Sequence, residues 1–285
     1  FGRKAADEIR DRIARRLQGG ALPLVSTFHS YSYSIVREFA DPAEFQAPPR
    51  LLSGPEQEHR VRELLTNSIK DGRVSWPADL EPAVGTRGLA ALVRELIAKA
   101  QALDISAQEL AALGDEAGVP VWSSIAGFLD EYLDVLDAEG VMDYAELIHR
   151  AVALAGLPDI GAKLRSRYQA IFVDEYQDTD VAQVRLLQRI TTPTTSLVAV
   201  GDPDQAIYGF RGADVGGILR FRDDFTTVDG SPAPIEVLST TRRFGEGIRD
   251  AAGRVIRRVS LGTLPAEVQK AHRLPDCTAP TRGDV

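Results

Sequence analysis

Two short apolar runs, each followed at once by acidic residues, constrain the fold of this chain more than any other feature. Residues 170–173 read Ala-Ile-Phe-Val, a pattern typical of a strand buried on both faces. The acidic residues after this run are Asp174, Glu175, Asp178 and Asp180. A second apolar run, 196–200, ends in Gly201-Asp202, and the amphipathic segment 181–190 lies between the two runs. This spacing fits one strand–helix–strand crossover, so we expect both acidic ends at the same edge of one parallel sheet.

The acidic turn after the first run has two interpretations. Ligands of open α/β sheets bind at the carboxyl ends of the strands, and a hard cation such as Mg²⁺ prefers oxygen ligands. Asp174 therefore suits a magnesium ion, and Glu175 is placed to orient or deprotonate an attacking water. The structural alternative is a strand followed by an acidic helix start, with Asp178 or Asp180 as the cap.

Composition excludes several classes of function. The 285 residues are 44% hydrophobic, which is ordinary for a globular protein, and no apolar run reaches the length of a membrane span. We expect no membrane partner and, because no secretory signal is present and Cys277 is the single cysteine, a cytoplasmic location. The net charge of −8 means that contact with nucleic acid must come from a local surface.

Periodicity predicts a helical protein interrupted by a few strands. Short strands are predicted at 22–27, 170–174, 197–201 and 235–239. Prolines 42, 48 and 49 mark a first domain boundary, and strand patterns are nearly absent from 51 to 157. Asp143 is a predicted N-cap, with Glu146 at capping-box distance. The tail after Gly262 supports no firm prediction. The predicted helices are Arg3–Leu17, 27–39, Pro55–Ile69, Leu89–Ala102, Ala107–Leu113, Ile125–Ala138, Tyr144–Ala155, Val181–Ile190 and Glu246–Val259.

Six short stretches occur in an order that is specific to one protein family. They are Phe1–Ile9, Ser26–Ser30, Met142–Leu147, Val173–Thr179, Val200–Ala213 and Leu238–Phe244. Val173-Asp-Glu-Tyr-Gln-Asp-Thr179 matches the Walker B motif of that family almost letter for letter. The chain therefore resembles the UvrD/Rep class of superfamily 1 DNA helicases, from Phe1 to about Arg258.

The resemblance implies an α/β fold in which the parallel sheet of a RecA-like P-loop NTPase is interrupted by an all-helical insertion. It implies residues 1–40 and 158–245 as the two parts of the first motor domain. Residues 41–157 would then be the insertion, and 246–285 the start of a second motor domain.

The resemblance also implies ATP and Mg²⁺ as cofactors and assigns residue roles. Asp174 would hold the magnesium ion, and Glu175 would activate the water that attacks the γ-phosphate. Gln205 would sense the γ-phosphate, and Arg243 would stabilise the charge that develops on it. Arg242 occupies the position of a Tyr that packs on the nucleotide base in the family.

For single-stranded DNA, the resemblance implies three groups of contacts. They are the helix start at Arg3 and Lys4, the segment Thr27, Phe28, His29 and Ser30, and the segment that carries Tyr208, Phe210 and Arg211. The two aromatic residues of the last group would stack on bases. The alternatives are core aromatics at 208 and 210, an ion-pair role for Arg211, and a role for His29 in capping or orienting its turn.

The chain departs from the family at two places. A phosphate-binding Gly-x-x-x-x-Gly-Lys-Ser/Thr loop does not occur in these residues, and motif IV reads Thr241-Arg242-Arg243 where the family has Asn-Tyr-Arg. We expect the chain to be part of a longer protein and to be inactive as an ATPase by itself. The substitution at Arg242 puts recognition of adenine in question.

The function implied for the longer protein is an ATP-dependent DNA helicase that translocates on single-stranded DNA, 3′→5′, in repair or recombination. Its partners would be single-stranded DNA, duplex ends or junctions, and a partner motor or nuclease subunit. The composition, rich in Ala and Arg, suits RecB-like helicase–nuclease motors of the actinobacterial AdnA/AdnB type. The alternative is a non-catalytic, helicase-like subunit that binds DNA or acts as a scaffold.

Overall fold

Contacts within the chain separate it into two units. In this computed structural model, residues 3–17, 22–41, 49–207, 216–262 and 264–278 are described. The helical unit comprises Phe1–Arg167 with Asp180–Ile190, and the α/β unit comprises Tyr168–Thr179 with Thr191–Val285. None of the helices described is long and apolar enough to cross a membrane.

The helical unit contains nine described α-helices, most of them where periodicity predicts them. Helix α5 shows why they begin where they do: the Ser106 N–H donates to Glu109 Oε2 (2.9 Å) and the Glu109 N–H donates to Ser106 Oγ (3.2 Å). The predicted N-cap Asp143 is confirmed, since its Oδ1 accepts the Glu146 N–H at 2.8 Å. The helices are α1 (Arg3–Leu17), α2 (Phe28–Phe39), α3 (Gly54–Lys70), α4 (Arg87–Leu103), α5 (Ala107–Ala117), α6 (Val121–Ala138), α7 (Tyr144–Gly156), α8 (Pro158–Arg165) and α9 (Val181–Ile190).

Helices α3 to α6 enclose a continuous apolar core. Their inward faces bury large side chains completely, including Leu65, Phe128 and Tyr132. The rings of Phe128 and Tyr132 are stacked with centroids 6.2 Å apart. The Tyr132 hydroxyl donates to Asp143 Oδ2 at 2.8 Å, so the polar end of this buried ring has a partner.

The sequence led us to expect that the region between 51 and 157 is entirely helical, but the structure also contains strands there. Strand β1 (Arg50–Leu51) pairs in parallel with β2 (Val141–Met142). Each strand has two residues, too few for an alternating pattern, so periodicity could not reveal them. The pairing joins the segment before α3 to the segment after α6.

The α/β unit contains two pairs of short parallel strands. Strand β3 (Ala170–Val173) pairs with β4 (Ser196–Ala199), in the register that aligns Val173 with Ala199. Strand β5 (Thr240–Thr241) pairs with β6 (Asp276–Cys277). The helices of this unit are α10 (Gly217–Asp224), α11 (Glu246–Ile256) and α12 (Ala266–Arg273). The protein is therefore helix-rich and α/β, with short parallel sheets.

Three strand predictions are wrong in part. Residues 22–27 belong to no described strand, and the strand expected at 235–239 lies at Thr240–Thr241 instead. Composition indicates that a segment favours the strand conformation, but a strand also needs a neighbouring strand with which to pair. Burial of 170–173 on both faces is wrong as well, because Phe172 is 75% exposed. Among described residues, β3 pairs with β4 alone.

Several helix ends and the tail also differ from expectation, and helices α8 and α10 were not predicted. Helix α11 ends at Ile256 rather than Val259, α6 begins at Val121 rather than Ile125, and α5 ends at Ala117 rather than Leu113. The tail, for which the sequence supported no prediction, contains α12 and β6. The domain boundaries at 40, 157 and 245 remain predictions.

Candidate active site

The acidic turns that follow β3 and β4 lie side by side, as their spacing predicted. Beyond the paired strands, the Val200 N–H donates to the Val173 carbonyl at 2.8 Å, and the Tyr176 N–H donates to the Val200 carbonyl at 2.9 Å. These two bonds continue the ladder past the strand ends. They hold the turn 174–178 against the loop that begins at Gly201.

Glu175 has a strained backbone. Its φ is 52° and its ψ is 45°, in the left-handed region, which costs a non-glycine residue about 1–3 kcal/mol. Asp104 is the other non-glycine residue with positive φ among those described. The strain is offset locally, because the Glu175 N–H donates to Asp174 Oδ1 at 3.0 Å and its carbonyl accepts the Asp178 N–H at 2.9 Å.

Gln177 joins the two turns through its side chain. Its Nε2 donates to Glu175 Oε2 at 2.7 Å, and its Oε1 accepts the Asp202 N–H at 3.0 Å. The side chain is buried, with 1% of its surface exposed. Gly201 makes room for it, because a Cβ at that position would lie 2.4 Å from Gln177 Oε1.

Gln205 and Asp202 form the second half of the site. Gln205 Nε2 donates to Asp202 Oδ2 at 2.7 Å, and the Asp204 N–H donates to Asp202 Oδ1 at 2.9 Å. Burial by itself would raise the pKa of Asp202, but hydrogen bonds from His272, Gln205 and the Asp204 N–H hold it below its ordinary value. Asp202 is therefore ionised at neutral pH and fixes the orientation of the Gln205 amide.

A cluster of charged residues braces the same loop. His272 Nε2 lies 3.2 Å from both Asp202 Oδ1 and Asp204 Oδ2. Arg273 donates to Asp204 through Nε (2.9 Å) and Nη2 (2.6 Å), a bidentate pair. Asp202, Asp204 and His272 form the one three-residue group with metal-ligand spacing in the described part of the chain. Since Arg273 occupies both oxygens of Asp204, we interpret the group as an ion-pair cluster.

Asp174 suits a magnesium ion bound with a nucleotide. It is exposed directly after β3, and one of its oxygens, Oδ1, accepts the Glu175 N–H. Its Oδ2 has no hydrogen-bond donor among the described residues and remains available to a cation. Mg²⁺ usually takes one or two protein carboxylates and completes its shell with phosphate and water, so a single carboxylate fits this role.

Arg242 and Arg243 lie directly after β5 and are exposed. The Arg243 N–H donates to Thr241 Oγ1 at 3.3 Å. Within the described ranges, neither guanidinium pairs with an acidic residue or contacts Glu175 or Gln205. The structure thus joins Asp174, Glu175, Asp202 and Gln205 through hydrogen bonds and leaves the two arginines separate from them.

The candidate DNA residues of the helical unit lie at two helix starts. Thr27 is the N-cap of α2, and its Oγ1 accepts the Ser30 N–H at 3.1 Å. His29 packs edge-on against Tyr144, with ring centroids 5.0 Å apart, and burial lowers its pKa. Lys4 is exposed on α1, where Arg3 is the first residue.

Phe28 is half-buried in the first turn of α2. Because Thr27 Oγ1 accepts the Ser30 N–H, the cap of this helix is Thr27 rather than His29. Asp180 also acts as a cap, because its Oδ1 accepts the Gln183 N–H at 2.8 Å. Tyr208, Phe210 and Arg211 lie outside the described residues.

Sequence reasoning overlooked Gln177, His272 and Arg273. Gln177 stands inside the Walker B match, and its position two residues after Glu175 was the available signal. The two tail residues carry no local signal, since only the fold brings them to Asp202 and Asp204.

Comparison with known proteins identifies the family of this chain. A family model described as the UvrD/REP helicase N-terminal domain matches residues 1–226. This match covers more than half of the chain, so the chain belongs to the UvrD/REP helicase family, as its motifs predicted.

Among individual proteins, the chain is similar to the ATP-dependent DNA helicase PcrA of two staphylococci. It is 29% identical over 264 residues to PcrA of Staphylococcus aureus (strain NCTC 8325 / PS 47), which covers 90% of this chain and 33% of PcrA. It is 28% identical over 263 residues to PcrA of Staphylococcus epidermidis (strain ATCC 12228 / FDA PCI 1200), with the same coverage, 90% and 33%. The chain spans about a third of the length of the curated relatives it matches.

Proposed function

We propose that this chain forms the first motor domain of an ATP-dependent DNA helicase. The longer protein would couple ATP hydrolysis to translocation on single-stranded DNA, 3′→5′, and to unwinding of duplex ends or junctions in repair or recombination. Family membership and the similarity to PcrA, an ATP-dependent DNA helicase, support this proposal. The longer protein would also bind a partner motor or nuclease subunit.

The proposed chemistry is hydrolysis of the γ-phosphate, for which bound Mg²⁺ would neutralise charge on the phosphates. Asp174 would hold the ion through its available oxygen. Glu175 would orient and deprotonate the attacking water. Gln205 would sense the γ-phosphate, with its amide oriented by Asp202.

The arginines after β5 have separate roles in this proposal. Arg243 would stabilise charge on the transferred group, and Arg242 would stack its flat guanidinium on the base. Both side chains are exposed and without an acidic partner among the described residues, as residues that wait for an anionic ligand should be.

The DNA would run along the remaining candidate residues. These are Arg3, Lys4, Thr27, Phe28, His29 and Ser30 in the helical unit, and Tyr208, Phe210 and Arg211 within the matched segment Val200–Ala213. Residues 41–157 would be a helical insertion in a RecA-like motor domain. Five well-packed helices in that range support this part of the proposal.

The single observation that carries the proposal is the conformation of Glu175. A glutamate in the left-handed region costs stability, yet here its carboxylate is also held by a buried amide at 2.7 Å. Strain of this kind concentrates at functional sites. A carboxylate that served only to start a turn would need neither feature.

The test is the Glu175→Gln substitution in the longer protein that contains this chain. We expect ATP binding to persist and DNA-stimulated turnover to fall by about 10²–10⁴-fold, because the amide keeps the shape of the side chain but cannot act as a base. Steady-state kinetics and binding of a fluorescent nucleotide measure the two effects.

The matched control is Glu267→Gln, an exposed glutamate in the first turn of α12. It should leave turnover unchanged. A loss smaller than about threefold at Glu175 would instead favour the non-catalytic, helicase-like subunit that binds DNA or acts as a scaffold.

A further inference from the structure

Gln177 uses both ends of its amide inside the candidate site. Its NH₂ group faces the Glu175 carboxylate at 2.7 Å, and its carbonyl oxygen faces the backbone N–H of Asp202 at 3.0 Å. With 1% of its surface exposed, it has no contact with bulk water that could compete for either bond. A hydrogen bond to a charged group is shorter and stronger than one between neutral groups.

The chemistry of this position demands an amide. A carboxylate would repel Glu175, and an apolar side chain would leave the Asp202 N–H without a partner. Only an uncharged group that donates at one end and accepts at the other satisfies both neighbours. Gly201 is part of the same arrangement, because a Cβ there would come within 2.4 Å of the Gln177 oxygen.

The backbone around Gln177 is held independently of its side chain. The Tyr176 N–H bonds to the Val200 carbonyl at 2.9 Å, and the Tyr176 ring packs edge-on against Phe221 with centroids 5.2 Å apart. The Thr179 hydroxyl donates to the Tyr176 carbonyl at 2.7 Å. Loss of the Gln177 amide should therefore release the Glu175 carboxylate without dissolving the turn.

We propose that Gln177 is a positioning residue, which holds the Glu175 carboxylate in the orientation required of a base and ties that orientation to the loop 201–205. This inference rests on the proposed function of Glu175. Gln177 acts through Glu175 and does not itself touch the reacting atoms. A displacement of the Asp202 backbone would move the amide, and the amide would move the carboxylate.

The experiment separates the two ends of the amide in the longer protein. Gln177→Glu keeps length and the acceptor for the Asp202 N–H but removes the donor to Glu175. Gln177→Met removes both. We expect kcat to fall about 10–100-fold in both variants while KM for ATP changes less than about threefold, since positioning is a fraction of the effect of the base itself.

A matched control is Gln183→Met. Gln183 Nε2 also donates to a carboxylate, Asp180 Oδ2 at 3.0 Å, but that carboxylate only caps α9. Kinetics should be unchanged in this variant. If Gln177→Glu retains full kcat, the Asp202 contact alone matters, and the positioning role is overturned.

The double variant Glu175→Gln with Gln177→Met keeps the inference testable even if Gln177→Met is less stable. Once the base is absent, loss of its positioning residue should cost nothing further in residual turnover. If the rate losses of the two single variants multiply in the double variant, Gln177 has a merely structural role. The single variants distinguish the two proposals. If Glu175→Gln keeps turnover, the base assignment of Glu175 and the positioning role of Gln177 both fail. If Glu175→Gln loses turnover but the Gln177 variants keep it, the base assignment stands and the positioning role fails.

Discussion

The helical unit and the α/β unit bury apolar side chains to very different extents. Of the buried hydrophobic residues that the structure describes, Val173, Tyr176 and Leu261 belong to the α/β unit, and all the others belong to the helical unit. The α/β unit instead exposes large apolar side chains, among them Phe172 at 75% and Leu238 at 84%.

The two units are therefore stabilised by different forces. The helical unit gains stability from area removed from water, at about 25 cal/mol per Å². The loop of the α/β unit that carries Asp202 and Asp204 is held by directional contacts to Gln177, His272 and Arg273. The candidate catalytic residues lie in the unit that depends on directional contacts, where geometry is set residue by residue.

The chain carries a separate probe for each unit. Its two tryptophans, Trp76 and Trp122, both lie in the helical unit, and its single cysteine, Cys277, lies in β6 of the α/β unit. Tryptophan fluorescence thus reports unfolding of the helical unit, and thiol labelling reports opening of the α/β unit.

The largest expected effect is on turnover, from Arg243→Ala in the longer protein. An arginine that stabilises the transition state of phosphoryl transfer is worth about 10³–10⁵ in rate, so kcat should collapse while ATP affinity falls modestly. Because Arg243 is exposed, Cys277 labelling of the 285-residue chain should not change.

Arg242→Ala is the matched comparison, and it should mainly raise KM for ATP and weaken discrimination against GTP. Steady-state kinetics with both nucleotides measures this difference. The opposite pattern would show that the register of motif IV is displaced by one residue.

Phe128→Ala should have the largest effect on stability, and only in the helical unit. Phe128 is completely buried, and truncation of such a ring costs about 3–5 kcal/mol. Denaturation followed by tryptophan fluorescence should show this loss. The control, Phe172→Ala, removes a ring that is 75% exposed and should change the stability of the α/β unit, followed by Cys277 labelling, by less than about 0.5 kcal/mol. Equal losses would mean that the two units do not differ in this way.

Arg273→Ala should act on the α/β unit alone. The Asp204 side chain is 7% exposed, and it would lose its bidentate partner. The cost of about 1.5–3 kcal/mol corresponds to Cys277 labelling that is about 10–150-fold faster. Arg254→Ala, an exposed arginine of α11 without a described acidic partner, should leave labelling unchanged. A shift in the tryptophan signal would contradict the separation of the two units.

The smallest expected effect is a pH dependence of the α/β unit. The hydrogen bond to Asp202 raises the pKa of His272 above its ordinary 6.5, against the opposing effect of burial. The protonated form therefore stabilises the folded state fully below about pH 6.5, and this contribution is lost as pH rises through the higher folded pKa.

Between about pH 6.5 and the higher pKa of His272 in the folded state, protection of Cys277, measured against the unfolded chain at each pH, should therefore decline. His272→Gln should flatten that decline. A protection that rises over this interval would contradict the sign of the effect.

Local sequence patterns were sufficient for the elements that depend on near neighbours. Helix α9 has the predicted bounds, Val181–Ile190, because one apolar stripe at helical spacing specifies it. The parallel pairing of β3 with β4 followed from two apolar runs with a helix between them. The candidate residues Asp174, Glu175 and Gln205 followed from the motifs.

What the sequence by itself determined is thus most of the helices, the crossover from β3 to β4 and the family. The tertiary structure alone decided which segments of strand-like composition pair with another strand, so β5 lies at Thr240–Thr241 and not at 235–239. It also brought His272 and Arg273 to Asp202 and Asp204. It placed the Gln177 side chain between Glu175 and the Asp202 N–H, where it bonds to both. The physical reason is the range of the interactions. Helix periodicity depends on residues three or four positions apart in the sequence. A hydrogen bond between distant segments exists only once folding has brought those segments together.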